Sequence, residues 1–346
     1  MIDNITLDIN SGIPKYLQII NAIILNITNG HFKIGDKMPS ISQLSEDCYI
    51  SRDTVERAYR VLKKRKVIVS VHGKGTYIAD TQLISKPKIL FFINKLSAYK
   101  MMVYNSFLKK IGNSAHIDLQ SYHCDETLFL ELMDKHKSSY DYFVIMPHFR
   151  TKDLAHSNFT EKVNKVLNSI PKDKLVLLDN DKHEISGGFI EVYQDFKNDI
   201  YNALQKGNSK ISKYKTISLV YPQKSFYPYP KRIQKGFTQY CKENSLDFKI
   251  VEEISKDIKL TKGNLFITIE DEHLVNIVNK VKKCNLQLGK DIGVISYNDT
   301  PLKQLLGISV LSTDFEKMGE QAANMILENK KEKVKTPFKF IERASL

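Results

Sequence analysis

From position 88 onward, short apolar runs alternate with amphipathic segments, and that alternation leaves few folds open. KILFFIN (88–94), HIDLQSYHC (116–124), YDYFVIMP (140–147) and KLVLLDND (174–181) read as strands. Between them lie segments of helical period: one that includes Tyr104 to Ile111, then ETLFLELMDKH (126–136) and TEKVNKVLNSI (160–170). A second series follows, with strands at 216–222, 247–255, 264–269 and 291–299 and helices at 195–207, 230–244, 272–285 and 315–330. Repeated strand–helix units imply parallel sheets covered by helices on both faces. The expectation is an α/β domain of two doubly wound lobes, which bind small ligands in a cleft at the carboxyl ends of their strands.

The first 79 residues have another rhythm. PKYLQIINAIILNITN (14–29) opens with a proline suited to a first helical turn and sets Leu17, Ile20, Ile24 and Ile27 on one face, with Gly30 as the stop. Ser40 and Gln43 form a capping box for a short helix to about Asp47. Ser51 caps a longer helix ending near Lys66, with Val55, Ala58, Tyr59 and Leu62 inward and Arg52, Asp53, Glu56, Arg57, Arg60 and Lys63 outward. Val67 to Ser70 and Thr76 to Ala79 predict two short strands joined across His72 to Gly75. Helix, helix, turn, helix, hairpin is an N-terminal winged helix-turn-helix, an α+β unit. Its second paired helix presents N-terminal residues to base edges, and its hairpin tip approaches the sugar-phosphate backbone. Glycine permits that approach and lysine supplies charge. DTQLISKP (80–87) reads as a linker, giving domains at 1–79 and 88–346.

Specific residues carry a resemblance: Pro14 and Tyr16, Gly35-Asp36-Lys37-Met38-Pro39-Ser40, Ser51-Arg52-Asp53-Thr54-Val55 with Ala58, and Gly73-Lys74-Gly75-Thr76-Tyr77. In this order and spacing, residues 13–79 resemble the DNA-binding domain of GntR-type transcription regulators. The resemblance implies DNA contact from Ser40, Ser51, Arg52, Thr54 and Arg57, and from His72, Gly73, Lys74 and Gly75 at the wing tip. Ser42 and Glu56 stand where the family often has arginine. A carboxylate at 56 repels phosphate and can accept from a cytosine amino group, so the operator sequence is left open.

Residues 88–346 resemble the LacI-type, periplasmic-binding-protein-like effector domain. The carrying residues are LGKDIGVISYNDT (288–300), SVLST (309–313), Phe315 to Met318, Gly319, Ala322 and Ala323, with Gly236-Phe237 and Glu270-Asp271. This resemblance implies a small sugar-like effector, a monosaccharide or sugar phosphate. Asn298 and Asp299 stand for the family's acidic pair, Glu270 and Asp271 for its Asn-Asp pair, and Lys231 or Arg232 for its basic sugar contact. Tyr227 and Tyr229 in FYPYP either stack on a sugar face or sit half-buried in a proline-kinked loop. The combination implies a sequence-specific regulator, a repressor, that binds a double-stranded operator as a homodimer, with no cofactor and no metal.

Composition agrees with an acidic partner: the 346 residues carry a net charge of +13. Cys48, Cys124, Cys241 and Cys284 are scattered, without a CxxC pair, as in a reducing cytoplasm. No apolar stretch reaches the length of a membrane span, and MIDNITLDIN lacks the features of a secretory signal. His72-Gly73-Lys74-Gly75-Thr76 is not a nucleotide loop, because Lys74 is followed by glycine and no helix follows. Glu270, Asp271 and Glu272 read as acids at a helix start, Asp179-Asn180-Asp181 as a strand-end turn, and His123, His148 and His183 as isolated histidines. No Ser/His/Asp set, GxSxG or HExxH occurs. The alternative, an aminotransferase-like pyridoxal-phosphate domain behind the DNA-binding head, needs a larger domain and a recognisable Schiff-base lysine.

Overall fold

The computed structural model describes residues 5–8, 11–28, 30–79, 86–157, 159–181, 183–254 and 258–346. Residues 80–85 of the expected linker, position 29 of the expected first helix and position 255 of an expected strand lie outside the described residues. The chain forms two compact units: Met1–Ile89 with Ile111–Ile117 and Asn324–Lys330, and Leu90–Lys110 with Asp118–Ala323 and Lys331–Leu346.

The first unit contains α1 (Lys15–Thr28), α2 (Ile41–Asp47), α3 (Arg52–Lys64) and the antiparallel hairpin β1 (Ile68–Val71) and β2 (Gly75–Ile78). Ser40 caps α2 by accepting from the Gln43 amide at 3.1 Å, and Ser51 caps α3 by accepting from the Thr54 amide at 3.3 Å. Val55, Ala58, Tyr59 and Leu62 are buried as their spacing requires. On α1, Ile19 and Ile23 join Leu17, Ile20 and Ile27 in the core, while Ile24 is only half-buried. Ile5 belongs to the same cluster, so α1 is covered over a wider arc than one stripe. Helix α3 stops at Lys64 rather than near Lys66, because Lys66 takes a left-handed φ of 57° that turns the chain into β1. The strands begin and end about one residue from expectation, with Ile68 opposite Ile78 and Val71 opposite Gly75. Residues before α2 extend this hairpin: Met38 N donates to Thr76 O at 2.8 Å, and Ile78 N to Asp36 O at 3.0 Å.

The rest of the chain builds two α/β lobes. Elements β3 (Lys88–Ile93), α4 (Ala98–Ile111), β4 (His116–Ser121), α5 (Glu126–His136) and β5 (Tyr142–Ile145) come first. A short hairpin, β6 (Phe149–Arg150) and β7 (His156–Ser157), precedes α6 (Glu161–Ser169), β8 (Leu175–Asn180) and β9 (Ile190–Gln194). The second lobe has α7 (Phe196–Lys206), α8 (Asn208–Ile211), β10 (Thr216–Val220), α9 (Arg232–Glu243), β11 (Asp247–Val251) and β12 (Asn264–Thr268). It continues with α10 (Asp271–Lys283), β13 (Ile292–Tyr297), α11 (Pro301–Leu305) and β14 (Ser309–Thr313). Last come α12 (Phe315–Glu328), β15 (Lys333–Lys335) and β16 (Phe338–Ile341).

The first sheet runs β15-β9-β8-β5-β3-β4 and the second β11-β10-β12-β13-β14-β16, with only β16 antiparallel to its neighbour in the second. The chain passes between lobes three times. After β9 it enters α7, which lies so close to α9 that a Cβ on Gly236 would meet Lys197 O at 2.1 Å. After β14 it returns to α12, where a Cβ on Gly319 would meet Val103 O of α4 at 2.2 Å. The third passage, between β15 and β16, is tied to the other two: Thr336 N donates to Tyr193 O at 2.8 Å and Asp314 N to Pro337 O at 2.9 Å.

Candidate functional site

Two places carry chemistry. In the first unit, Ser51, Arg52, Asp53, Glu56 and Arg57 are exposed at the start of α3, with Thr54 half-buried beside them. The Ser51 and Thr54 hydroxyls lie 2.8 Å apart, so capping and presentation share the same two side chains. The helix is fixed from behind by Tyr59, whose buried phenol donates to Pro39 O at 2.7 Å. Arg57 stacks on Tyr16, its guanidinium carbon 3.9 Å from the ring centroid, which orients it against α1. Glu56 pairs with Arg60 at 3.1 Å one turn on. Both are exposed, so the pair adds little stability, but it places a cation beside the unexpected acid.

His72, Gly73, Lys74 and Gly75 form the exposed tip of the wing, and Ser40 is exposed at the start of α2. Gly73 and Gly75 have φ of 72° and 117°, a region where L side chains are strained. Tyr77 steadies the tip by donating to Lys74 O at 3.0 Å. The Lys74 side chain makes no described contact and remains free to reach a phosphate.

The second place is the cleft at the carboxyl ends of the strands. Arg232 opens α9 and reaches across to the first lobe, meeting Asp181 Oδ1 at 2.9 Å and Asn180 Oδ1 at 3.4 Å. Lys231 is exposed and its side chain makes no described contact, so of the two basic candidates Arg232 is the one that bridges the lobes. Tyr227 meets His123 Nδ1 at 3.1 Å, and Tyr229 meets Lys95 Nζ at 3.5 Å. Both tyrosines are half-buried and both cross the lobes. Glu270 stands before α10, 3.5 Å from Ser225 and 3.7 Å from His273 Nε2.

The other candidates are already engaged within the second lobe. Lys303, buried, reaches Asp271 at 2.7 Å and the carbonyl of Asn298 at 3.0 Å. Asn298 has a φ of 61° at the end of β13. Asp299 is held in a fork by Arg343, at 2.8 and 2.6 Å. Burial raises its carboxyl, but hydrogen bonds from Arg343 and Gln304 outweigh that and leave it below the usual range. Asp271 and Glu272 occupy the first turn of α10, as expected of acids at a helix start.

Below the cleft lies a buried polar network that the sequence left unread. Asp179, with a φ of 79°, accepts from Lys100 and from Gln194, and meets His148 Nε2 at 2.9 Å. His148 Nδ1 is 3.1 Å from His156 Nε2. Burial raises the Asp179 carboxyl, but Lys100 and His148 overcome it and hold the group ionised. Burial lowers both histidines; His156, with His148 and Arg232 adding to the effect, falls to about 3. The chain of contacts continues from Gln194 to Thr313, at two of the interlobe passages. His123, His148 and His183 are each partnered, the last by Glu191 at 3.1 Å. The local sequence around Asp179 shows only a strand end, because Lys100, His148 and Gln194 come from other elements. A cavity of about 250 Å³ lies beside α7 and the third passage, lined by Asp199, Lys335 and Thr336 among others. Among the described residues no group of His, Cys, Asp and Glu is placed to hold a metal ion, and no helix is long and apolar enough to cross a membrane.

Comparison with known proteins finds similarity over the parts of the chain that hold these two places. Residues 15–78 match the family described as bacterial regulatory proteins, gntR family, and residues 212–346 match the periplasmic binding protein-like domain. The transcriptional repressor YtrA of Bacillus subtilis is 36% identical over 76 residues, 22% of this chain and 58% of that protein. The mannosyl-D-glycerate transport/metabolism system repressor MngR of Escherichia coli is 36% identical over 120 residues, 35% of this chain and 42% of that protein. The chain thus spans about half the length of these relatives. The trehalose repressor of Escherichia coli superposes with a TM-score of 0.59 at 16% identity, covering 74% of this chain and 100% of that one. A LacI family regulator from Lactobacillus casei with bound glucose superposes with a TM-score of 0.57 at 10% identity, covering 75% and 99%. At these identities the structural likeness is one of fold.

Proposed function

We propose that this chain, a GntR-type winged helix-turn-helix joined to a periplasmic-binding-protein-like domain of LacI type, is a cytoplasmic transcriptional repressor controlled by a small sugar-like effector. It binds a double-stranded operator as a homodimer, since one winged helix makes few contacts and two read paired half-sites. Ser40, Ser51, Arg52, Thr54, Arg57 and the His72–Gly75 tip are the DNA contacts. The effector lies in the cleft against Tyr227, Tyr229, Arg232 and Glu270, with Lys231, Asp271, Asn298 and Asp299 at its margin. Effector binding changes the angle between lobes through the three passages and so alters operator affinity.

The observation that supports this most is the exposed start of α3, on a helix anchored by Tyr59, in the same unit as an exposed wing tip. The test is selection of bound duplexes from a random pool with the full chain, followed by titration of the selected duplex with Arg52→Ala. A base or phosphate contact predicts a loss of about 5- to 150-fold. Unchanged affinity of that variant would remove Arg52 from the interface, and failure to select any duplex would end the operator reading.

A further inference from the structure

The described residues bury three lysines: Lys95, Lys100 and Lys303. Two have carboxylates, Asp179 for Lys100 and Asp271 for Lys303. Lys95, at the carboxyl end of β3 on the cleft, is 8% exposed and has none within ion-pair distance among the described residues. Its neighbours are aromatic. The ammonium lies 4.7 Å from the ring centroid of Tyr229, 5.3 Å from that of Tyr99 and 5.7 Å from that of Tyr227, with the Tyr229 hydroxyl at 3.5 Å. Burial opposes the charge, while hydrogen bonds and electrostatic attraction from Tyr99 and Tyr229 shift the group above the usual lysine range. Aromatic faces and phenols attract a cation but bring no countercharge. Two buried side-chain oxygens in the same β3–α4 connection, Asn94 Oδ1 and Ser97 Oγ, have no hydrogen-bond partner.

We propose that the effector carries a negatively charged group, a phosphate or a carboxylate, which pairs with Lys95 between Tyr99, Tyr227 and Tyr229. This rests on the reading of the cleft as the effector site and narrows its ligand to hydroxylated anions. The anion supplies the countercharge that Lys100 and Lys303 obtain from the protein. The Ser97 hydroxyl donates to it, and Asn94 Oδ1 accepts from a neighbouring ligand hydroxyl. Two of the three rings come from the second lobe, so an anion drawn onto Lys95 competes with contacts that hold the lobes together. That competition links binding to lobe angle.

The experiment uses the full chain, with melting temperature read at constant ionic strength in potassium chloride, inorganic phosphate, glucose 6-phosphate, gluconate and glucose. Phosphate and at least one of the two sugar anions should raise the melting temperature by about 2–4 °C over chloride, and glucose should not. Lys95→Met should abolish the rise and Lys95→Arg should keep it; comparing each variant with itself in chloride removes any change in basal stability. The two sugar anions distinguish phosphate from carboxylate. A phosphate response equal to that of chloride, or one that survives in Lys95→Met, overturns the proposal. A glucose response untouched by Lys95→Met overturns it while sparing the sugar-effector reading. A Lys95-dependent anion response that leaves operator affinity unchanged supports the subsite and counts against the regulatory reading.

Discussion

Tyr59 of α3 donates its buried phenol to the carbonyl of Pro39, 2.7 Å away and 20 residues earlier in the chain. Burial pushes the phenol well above the usual tyrosine range, so the donor is kept at any working pH. The bond joins the helix that presents Arg52 to the segment that leads into α2 and extends the wing sheet. Orientation of the α3 surface proposed to contact DNA therefore depends on an atom buried behind that surface.

Tyr59→Phe leaves the Pro39 carbonyl short of its donor at almost constant volume. It should lower unfolding free energy by about 1–3 kcal/mol in urea titration. Unchanged stability would mean that water takes over the bond.

Lys74→Ala at the wing tip should reduce the salt dependence of duplex binding as well as the affinity. One phosphate contact is worth about 0.9 in the slope of log affinity against log salt, for each protomer bound. Affinity measured at several salt concentrations gives the slope, and a parallel line for the variant would remove Lys74 from the backbone contacts.

Gly236→Ala places a methyl against Lys197 O and the Ile200 side chain, where the gaps are 2.1 and 2.6 Å. Helices α7 and α9 must then separate, at about 1–3 kcal/mol or more. Alanine elsewhere on an exposed helix is stabilising, so a lower melting temperature for this variant is a specific outcome.

The His148–His156 pair makes stability depend on pH. In the folded chain His156 stays neutral down to about 3, whereas in the unfolded chain it takes a proton near the ordinary value of 6.5. The stabilising contribution is complete above pH 6.5 and declines as pH falls toward 3. Asp179 pairs with His148 and opposes the decline, while the cations Lys100, Lys95 and Arg232 nearby favour neutral rings. Between pH 6.5 and 5 the loss from His156 is about 1–2 kcal/mol. His156→Gln should flatten the curve of unfolding free energy against pH over that range.

The elements most legible in the sequence were those whose own residues supply their core contacts. KILFFI and ETLFLELMDKH are apolar enough to be found from local pattern, and β3 and α5 lie where that pattern puts them. Both caps at Ser40 and Ser51 were visible for the same reason. Strands β15 and β16 were not, because KVK and FKFI sit at sheet edges, alternate with lysine, and acquire strand geometry from neighbours far away in the chain. Strand β9 was missed behind Gly187-Gly188. In the cleft, Arg232 and the two tyrosines could be named by type and position. Lys95 and Asp179 could not, since what distinguishes them is their surroundings: Asp179 is 79 residues from Lys100, and Lys95 is 134 from Tyr229.

Both lobes take an outer strand from the last part of the chain: residues 333–335 complete the first sheet and 338–341 the second. During synthesis from the amino end, each sheet therefore waits with an uncovered edge until more than 330 residues have been made. The winged helix, whose described core closes within residues 5–78, has no such delay. The winged helix can thus fold before the lobes that follow it are complete, and the nascent chain passes through an interval in which it is most exposed to edge-to-edge association.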